Sequence, residues 1–511
     1  MNNLATPSPP QTSDDLFQAL RGRTIARNTL WNIVGQFLPL VLAAVAIPLL
    51  IRRLGVDRFG VLTLAWALVG YFGLFDLGLG RALTKVVTES LAQSRESEAG
   101  EAVWTGLAVL LTVGISLTVL LFSLSHWLII KFNKLPAAVE GETLSAIYWL
   151  AISVPVITVT AGLRGVLEAQ HRFRLVNIVR IVMGGFSYLG PLVASIFSTN
   201  LAVLCSILVI GRIIAGVIHF VLAAKCLPVL LHRIVLKRRA LSRLMTTGAW
   251  ITVSNVVAPI LTYAERFIIG FFLSVAAVAY YSTPSELVLR LLMIPGAITS
   301  VLFPAFAALS VVDTSKLQLT YDRGIRFCFM LVFPAIFVIF LFAPEGLRLW
   351  LGPVFAEKST ILLRWVAIGI LVNSVAQIPF ALLQAADRPD LPGKLHLIEA
   401  PLYLTVLTVA IKMYALPGAA AVWALRLIIE GLILLLMAQY ALVPHSVKRA
   451  MLLLSAAGAV IAISVFMSGS WLKLVWFAGV LCGGSWVCWR FVLREDERSQ
   501  LSLLRRTLVI R

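Results

Sequence analysis

The feature that most constrains this sequence is a succession of apolar blocks, each about 20 residues long, the length with which a helix crosses a hydrocarbon core of roughly 30 Å. Of the 511 residues, 60% are hydrophobic and 13% are charged. A soluble chain carries about a quarter charged residues. We therefore predict an all-α, polytopic membrane protein.

The placement of positive charge predicts the orientation of the chain. The formal net charge of +19, taken alone, would suit a nucleic-acid partner. Twenty-eight of the 43 Lys and Arg residues, however, lie in the two tails and in alternate loops, against nine in the opposite loops. Cytoplasmic loops carry such an excess. We therefore predict that both termini are cytoplasmic and that the chain binds no nucleic acid.

Loop signals divide the apolar blocks into about fourteen transmembrane helices. The first of them is predicted to be an uncleaved span, because the run is too long for the core of a signal peptide. The predicted spans are 28–51, 59–79, 103–129, 144–167, 176–197, 201–227, 248–273, 276–303, 325–343, 360–385, 394–413, 418–442, 450–467 and 472–493.

The loops on the outer side are all short. The longest, at 131–143 and 344–359, have room for a turn or a short interfacial helix but for no folded domain. Membrane glycosyltransferases and polymerases usually need a sizeable external catalytic loop, so we expect the chain not to be an enzyme. The sequence contains no P-loop, and its five cysteines form no CxxC or Cys/His cluster. We expect no cofactor and no metal.

An internal repeat organises the spans. Shifting the chain by 219 residues aligns Trp31 with Trp250 and Leu54 with Leu273. Two halves that begin on the same side of the membrane are typical of alternating-access carriers, although apolar segments can also match by chance. The predicted domains are a cytoplasmic tail at 1–27, a six-helix N-lobe at 28–227, a basic cytoplasmic linker at 228–247, a six-helix C-lobe at 248–442, two further helices within 443–493, and a cytoplasmic tail at 494–511.

The segment 27–85 combines three features: Gln36 before Pro39 in the first helix, the turn "LGVDRFG", and the exit "FDLGLG-R" from the second helix. In these features it resembles the start of the Wzx-type oligosaccharide-lipid flippases, which belong to the MATE-like (MOP) superfamily. The resemblance implies a V-shaped pair of six-helix lobes around a hydrophilic cavity. It also implies translocation of undecaprenyl-diphosphate-linked oligosaccharide repeat units from the cytoplasmic to the periplasmic leaflet of a bacterial inner membrane, for surface polysaccharide biosynthesis.

The partners implied by this resemblance are a lipid-linked glycan, membrane lipids, and a polysaccharide polymerase with its chain-length regulator. Three alternatives stay open. A lipid II-type flippase is the nearest of them and is poorly separated by sequence. A multidrug or cation exporter of the same superfamily would want acidic residues in its cleft. A membrane glycosyltransferase or polymerase is disfavoured by the short outer loops.

Charged residues at membrane depth normally face a cavity or a partner, because burying them in lipid is costly. Arg212 lies deep in its span, where its side chain could not easily reach the interface. A cationic cavity suits a diphosphate or acidic sugar, which guanidinium groups bind in bidentate fashion. The predicted substrate-binding cations are Arg212, Arg266, Arg290, Arg180 and Arg426.

Several of these arginines also have a structural interpretation. Arg180 lies near the end of its span and can snorkel to the interface. Glu286 and Arg290, like Arg426 and Glu430, are four residues apart, so each pair can lock its own helix. Glu265 and Arg266 are adjacent, so we expect them to find different partners. The candidates for coupling transport to an ion gradient are Glu265, Glu286, Glu430 and Asp76.

The stretch "GLFDLGLGRALTKVVTES" places Asp76 and two cations at the cytoplasmic end of the second span. Gly78 and Gly80 loosen the backbone there. Asp76 is predicted to cap the amphipathic helix that follows. Arg81 and Lys85 then lie at the interface, where they could contact lipid headgroup phosphates.

Overall fold

The computed structural model describes residues 22–74, 79–131, 136–170, 172–231, 234–242, 261–444, 447–467, 469–487 and 490. Every long regular element in these residues is helical, which confirms the predicted all-α class. In chain order the helices are α1 Gly22–Leu74, α2 Leu79–Ala92, α3 Glu96–Lys131, α4 Ala137–Ala169, α5 Phe173–Phe197, α6 Leu201–Cys226, α7 at 261–272, α8 Val275–Leu289, α9 Met293–Val312, α10 Thr314–Leu341, α11 Ala343–Leu351, α12 Pro353–Ala385, α13 Asp390–Ala441, α14 Val447–Val465 and α15 Ser470–Val487.

Ten helices in the described part of the chain are long and apolar enough to cross a membrane. Two of them, Pro39–Gly70 and Asp390–Ala441, each cover two of the predicted spans. The helix α1 is interrupted at Gly55, and α13 is interrupted at Ala415, both with positive φ. The predicted span 248–273 is described only from residue 261, and the last predicted span corresponds to α15. The chain is therefore a multi-pass membrane protein.

Two predicted boundaries differ from the structure. The predicted span 276–303 is divided by a 3-10 turn at Arg290–Leu292, and the helix beyond it runs on to Val312. The turn directly precedes Pro295, whose missing N–H removes a helical hydrogen bond. The predicted span 325–343 begins much earlier, at Thr314, because Asp313 caps α10.

Asp313 forms a well-defined helix start outside the spans. Its Oδ1 accepts hydrogen bonds from the backbone N–H groups of Ser315 and Lys316, each at 3.0 Å. These bonds, together with the neighbouring ammonium group of Lys316, hold the pKa of the Asp313 carboxyl below its usual range.

The chain folds as two compact units. Unit 1 contains the described residues within Met1–Gly55, Leu68–Ile129 and Ala137–Thr252, and unit 2 contains those within Val56–Ala67, Ile130–Pro136 and Val253–Arg511. The domain boundaries predicted from the sequence stay a prediction.

Unit 1 is built around α4, which packs against α2 and α6. Its core contains Leu83, Val87, Leu110 and Leu163, all almost completely buried. At Gly165 a Cβ atom would lie only 2.5 Å from the backbone oxygen of Gly80, so α2 and α4 approach at a position where only glycine fits.

Unit 2 is built around α12, which packs against α8, α9, α10, α11 and α13. The short helix α11 lies within the predicted outer loop at 344–359, for which the sequence allowed a short helix. It has an apolar side that contributes Ala343 and Leu347 to the core, and a polar side that carries Glu345 and Arg348. That arrangement suits a helix lying along a surface.

The last two helices are attached to unit 2 by polar contacts. Arg449 of α14 forms an ion pair with the buried Asp322 of α10, and the buried Lys473 of α15 forms one with Glu345 of α11. Within the pair, Trp476 donates a hydrogen bond from Nε1 to the Ser464 hydroxyl at 2.9 Å.

The helix break at Gly55 has a counterpart in unit 2. A shift of 219 residues carries Gly55 onto Ser274, which separates α7 from α8 and caps α8 by accepting a hydrogen bond from the N–H of Ala277 at 3.1 Å. Trp250 of the predicted repeat lies outside the described residues. The helix breaks at Gly55 and Ser274 are therefore related by the same shift of 219 residues that aligns the two halves of the sequence.

Candidate functional site

A cavity of about 260 Å³ lies in unit 1 between α4, α5 and α6. Its wall carries three guanidinium groups, one imidazole and two hydroxyls, from Arg164, Arg180, Arg212, His219, Thr160 and Ser187. No acidic residue is among those that line it. The cavity is therefore cationic.

The three arginines of this cavity differ in their counter-charges. The Nε atom of Arg164 lies 3.8 Å from a carboxylate oxygen of Glu168. Arg180 and Arg212 form no ion pair or hydrogen bond with any residue in the described part of the chain. Neither guanidinium group is therefore held in an ion pair within the described residues, although the charge of Glu168 also acts on Arg180.

Arg212 is held in the middle of α6, which runs from Leu201 to Cys226. Asn200 begins the helix by accepting a hydrogen bond from the N–H of Ala202 at 2.8 Å. The preceding residue, Gly211, packs so closely against the ring of Phe186 in α5 that a Cβ atom would overlap it. This close packing of α5 and α6 fixes the backbone that carries Arg212.

His219 lies two turns beyond Arg212 on the same helix and is buried. Its Nδ1 atom lies 2.8 Å from the carbonyl oxygen of Ala215. A carbonyl oxygen only accepts hydrogen bonds, so Nδ1 carries the hydrogen and Nε2 is the nitrogen left for other contacts.

Unit 2 holds a different arrangement, centred on Arg426. Its Nε atom donates to Glu399 at 2.6 Å, and one terminal nitrogen donates to Glu430 at 2.9 Å. The other terminal nitrogen donates to the carbonyl oxygen of Leu261 at 3.0 Å. His396 Nε2 lies 3.1 Å from the second carboxylate oxygen of Glu430. We call His396, Glu399, Arg426 and Glu430 the Arg426 network.

A second ionic group in unit 2 is centred on Glu286. Arg266 lies 2.6 Å from one of its oxygens, and Arg290 lies 3.7 Å from the other. Glu265 lies 3.9 Å from Arg266, and both of these side chains are almost fully buried. Glu265 and Arg266 were expected to find different partners. The short contact of Arg266 is indeed with Glu286, but Glu265 also lies within ion-pair distance of Arg266.

The Arg426 network opens onto a cavity of about 240 Å³ within unit 2. Its polar lining comes from Thr262, Asn373, Gln377, His396, Arg426 and Glu430. Unlike the cavity of unit 1, it combines a cation with an acid that neutralises it.

The structure thus divides the five predicted cavity cations into two groups. Arg180 and Arg212 line the cavity of unit 1. Arg266, Arg290 and Arg426 lie in unit 2, each with at least one carboxylate within 4.0 Å. The i, i+4 pairs at 286/290 and 426/430 are both formed.

The predicted interface residues lie on or next to α2. Lys85 is exposed and lies 4.0 Å from Glu89, one turn further along the helix. Arg81 belongs to the same helix. Asp76, and with it the predicted cap, lies outside the described residues.

His396, Glu399 and Glu430 bring potential metal-ligand atoms within 4.8 Å of one another. Arg426 already donates to one oxygen of each carboxylate. A metal ion would have to displace this guanidinium group. The two carboxylates are therefore better placed to bind the Arg426 side chain than to bind a metal ion.

Sequence reasoning did not include His396, Glu399, Arg164 or His219 among the site residues. One signal was available: in "KLHLIEAP", His396 and Glu399 are three residues apart and so share a helix face. Their partners on the other half of α13 could not be identified without knowing how the helix folds back.

The polysaccharide biosynthesis protein family matches residues 25–310, which is more than half of the chain. The chain belongs to this family. The resemblance to the oligosaccharide-lipid flippases, drawn from the first 90 residues or so, is thereby confirmed.

Among curated relatives, the "Putative O-antigen transporter" of Shigella flexneri is 29% identical over 413 residues, which cover 80% of this chain and 97% of the relative. The "Probable low-salt glycan biosynthesis flippase Agl15" of Haloferax volcanii is 24% identical over 409 residues, which cover 78% of this chain and 80% of the relative. These family members are named as a transporter and a flippase, in agreement with the prediction that the chain is not an enzyme.

Solved structures share the fold. The lipid II flippase MurJ in an inward closed conformation gives a TM-score of 0.69 at 13% identity, covering 91% of this chain and all of that one. An inward-facing multidrug resistance transporter of the MATE family gives 0.65 at 14% identity, covering 84% and 99%. The predicted MATE-like fold is confirmed.

Proposed function

We propose that this protein is a flippase that moves lipid-linked oligosaccharide repeat units across the membrane for surface polysaccharide biosynthesis. The observation that carries this proposal is the cationic cavity of unit 1, in which Arg180 and Arg212 form no ion pair with any described residue. Family membership and the names of the relatives support the same substrate class.

The physical argument concerns the headgroup of such a substrate. A polyprenyl-diphosphate carries several negative charges that must leave water during transport. Guanidinium groups offer planar, paired donors to phosphate oxygens, and these charge-assisted bonds are stronger than neutral ones. An arginine without a protein partner needs no ion pair to be broken before it binds the substrate. Arg180 and Arg212 are therefore the headgroup-binding residues in this proposal.

The proposed orientation rests on the charge distribution in the sequence, and the proposed direction of transport rests on the resemblance to the oligosaccharide-lipid flippases. The protein lies in the bacterial inner membrane with both termini in the cytoplasm, and the glycan moves from the cytoplasmic to the periplasmic leaflet. Arg81 and Lys85 contact lipid or substrate phosphates at the cytoplasmic interface. A polysaccharide polymerase and a chain-length regulator receive the product. Movement is by alternating access coupled to an ion gradient, for which Glu265, Glu286, Glu430 and Asp76 were the sequence candidates.

Cation export is disfavoured by the same charges. An exporter of organic cations needs acidic groups that are free to bind them, whereas the cavity of unit 1 is lined by arginines. In unit 2, Glu265, Glu286, Glu399 and Glu430 already lie beside arginines. A lipid II-type flippase remains the closest alternative, because it also carries a diphosphate.

The test is a deletion strain that lacks any redundant flippase. Lipid-linked glycan should accumulate in the cytoplasmic leaflet, which a leaflet-specific glycan probe detects, and the chain expressed from a plasmid should restore its movement. Normal translocation in the deletion strain would refute the proposed function. Restoration of lipid II movement but not of glycan movement would favour the alternative.

A further inference from the structure

Two ionic groups within the spans of unit 2 together hold one carboxylate more than they hold guanidinium groups. Their four carboxylates are Glu265, Glu286, Glu399 and Glu430, and their three guanidinium groups are Arg266, Arg290 and Arg426. With neutral histidine, the two groups carry one negative charge without a counter-charge among their own residues. An uncompensated charge at membrane depth is costly. A site for one further positive charge is therefore expected.

The excess can be located. Glu265 and Glu286 lie beside two arginines, Arg266 and Arg290, so that group is balanced. Glu399 and Glu430 share the single guanidinium group of Arg426. The missing positive charge therefore belongs to the Arg426 network.

A proton fits this network better than a metal cation. Arg426 already occupies one oxygen of each carboxylate. The other oxygen of Glu430 lies 3.1 Å from Nε2 of His396, a distance at which a hydrogen is shared. The other oxygen of Glu399 is buried without a hydrogen-bond partner, and it is a second place where the same proton can rest. Imidazole is the side chain whose charge changes near neutral pH.

The surroundings hold few other titratable groups. Glu265 of α7, Tyr281 of α8 and Tyr403 of α13 are close enough to act on the network electrostatically. The helix α12 contributes the neutral Asn373 and Gln377 to the same cavity. None of these groups supplies a further positive charge beyond the arginines already counted.

The network also joins separate helical segments. His396 and Glu399 lie before the break at Ala415 in α13, whereas Arg426 and Glu430 lie after it. The bond from Arg426 to the carbonyl oxygen of Leu261 extends the link to α7. Loss of the proton leaves two carboxylates on opposite halves of α13 with one guanidinium group between them. The packing of the two halves therefore depends on the protonation of the network.

We propose that the Arg426 network binds one exchangeable proton, shared by His396 and Glu430, and that this proton is the coupling ion. The inference rests on the proposed transport function. Binding changes the charge of the network from −1 to zero. The proton enters from one side of the membrane and leaves to the other as the two halves of α13 change their packing.

The test uses the full chain in proteoliposomes with a fluorescent polyprenyl-diphosphate-linked N-acetylglucosamine as the probe. Transport of the probe is measured without a gradient, with a pH gradient, and with a Na⁺ gradient. In the wild type the pH gradient should accelerate transport and the Na⁺ gradient should not. In His396→Gln and Glu430→Gln the ratio of the rate with a pH gradient to the rate without one should fall to one.

Matched controls are available outside the network. His126→Gln and Glu140→Gln alter exposed residues of unit 1 and should keep the wild-type ratio. Transport that is driven by Na⁺, or a ratio unchanged in both network variants, would overturn the proton site while leaving the flippase intact. Failure of the wild type to move the probe under any condition would count against the proposed function instead.

A measurement without transport decides the proton site in that case. The six histidines of the purified chain are labelled with ¹³C in the ring, and the His396 signal is identified by its loss in His396→Gln. The ring shifts of this signal report whether the imidazole carries one hydrogen or two. They should change in Glu430→Gln and stay constant in Glu140→Gln. Ring shifts of His396 that are the same in Glu430→Gln as in the wild type would refute the proposal.

Discussion

Arg212→Gln isolates the contribution of one unpaired guanidinium group to headgroup binding. Arg212 has no ion pair or hydrogen bond within the described residues, so the substitution breaks no polar contact there and should change the melting temperature little. A hydrogen bond to a charged group contributes about 1.5–3 kcal/mol. At about 1.4 kcal/mol for each factor of ten, affinity for a diphosphate should fall roughly 10-fold to 150-fold.

The size of the effect should depend on the replacement. Arg212→Lys keeps the positive charge but loses the planar pair of donors, so it should bind more weakly than the wild type and more tightly than Arg212→Gln. Arg164→Gln is the matched control in the same cavity. Glu168 already offsets part of the Arg164 charge at 3.8 Å, so the loss should be smaller.

The assay is calorimetric binding of inorganic pyrophosphate to the purified protein, paired with transport of the lipid-linked probe at equal protein abundance. Binding and transport should decline in the order wild type, Arg212→Lys, Arg212→Gln. If Arg212→Gln bound pyrophosphate and transported the probe as the wild type does, the unpaired guanidinium group would have no part in recognition.

Three further predictions concern stability and topology. Arg426→Gln leaves two carboxylates without their counter-charge, so the free energy of unfolding should fall by about 3–5 kcal/mol; an unchanged melting temperature in detergent would contradict the ionic account of this network. Gly165→Val introduces side-chain atoms where α4 meets the backbone oxygen of Gly80 and should cost about 1–3 kcal/mol, whereas Gly141→Val, with open space around it, should lower the melting temperature far less. A cysteine introduced by Arg239→Cys should react with a membrane-impermeant maleimide only after the cytoplasmic face is exposed, and labelling in intact cells would reverse the predicted topology.

The helical class and most of the spans were predictable because length and hydropathy are local properties of the sequence. The breaks at Gly55 and Ala415 were also expected, since a charged, glycine-containing turn separates the first pair of spans and a proline-containing turn separates the second. The division of the span at 276–303 was not predicted. Pro295 interrupts the helical hydrogen bonds without interrupting the apolar run, so hydropathy carries no sign of it.

The candidate site was predicted less completely. The i, i+4 spacing correctly indicated two ion pairs, one within 286/290 and one within 426/430, because that spacing places two side chains on one helix face. The division of the arginines between two cavities depends on contacts between distant segments. Glu399 meets Arg426 across 27 residues of sequence, and no local pattern specifies that meeting.

The ion pairs that attach α14 and α15 have a consequence for the evolution of such chains. Asp322 is buried in α10, and its carboxylate would lose its Arg449 partner if a descendant of this gene ended before α14. A shortened homologue would therefore lose one of the interactions of this buried acid, which weakens the constraint that keeps residue 322 acidic. Loss of the C-terminal helices and loss of this acid should occur together across lineages, so the residue at this one position should record whether a homologue retains the final pair of helices.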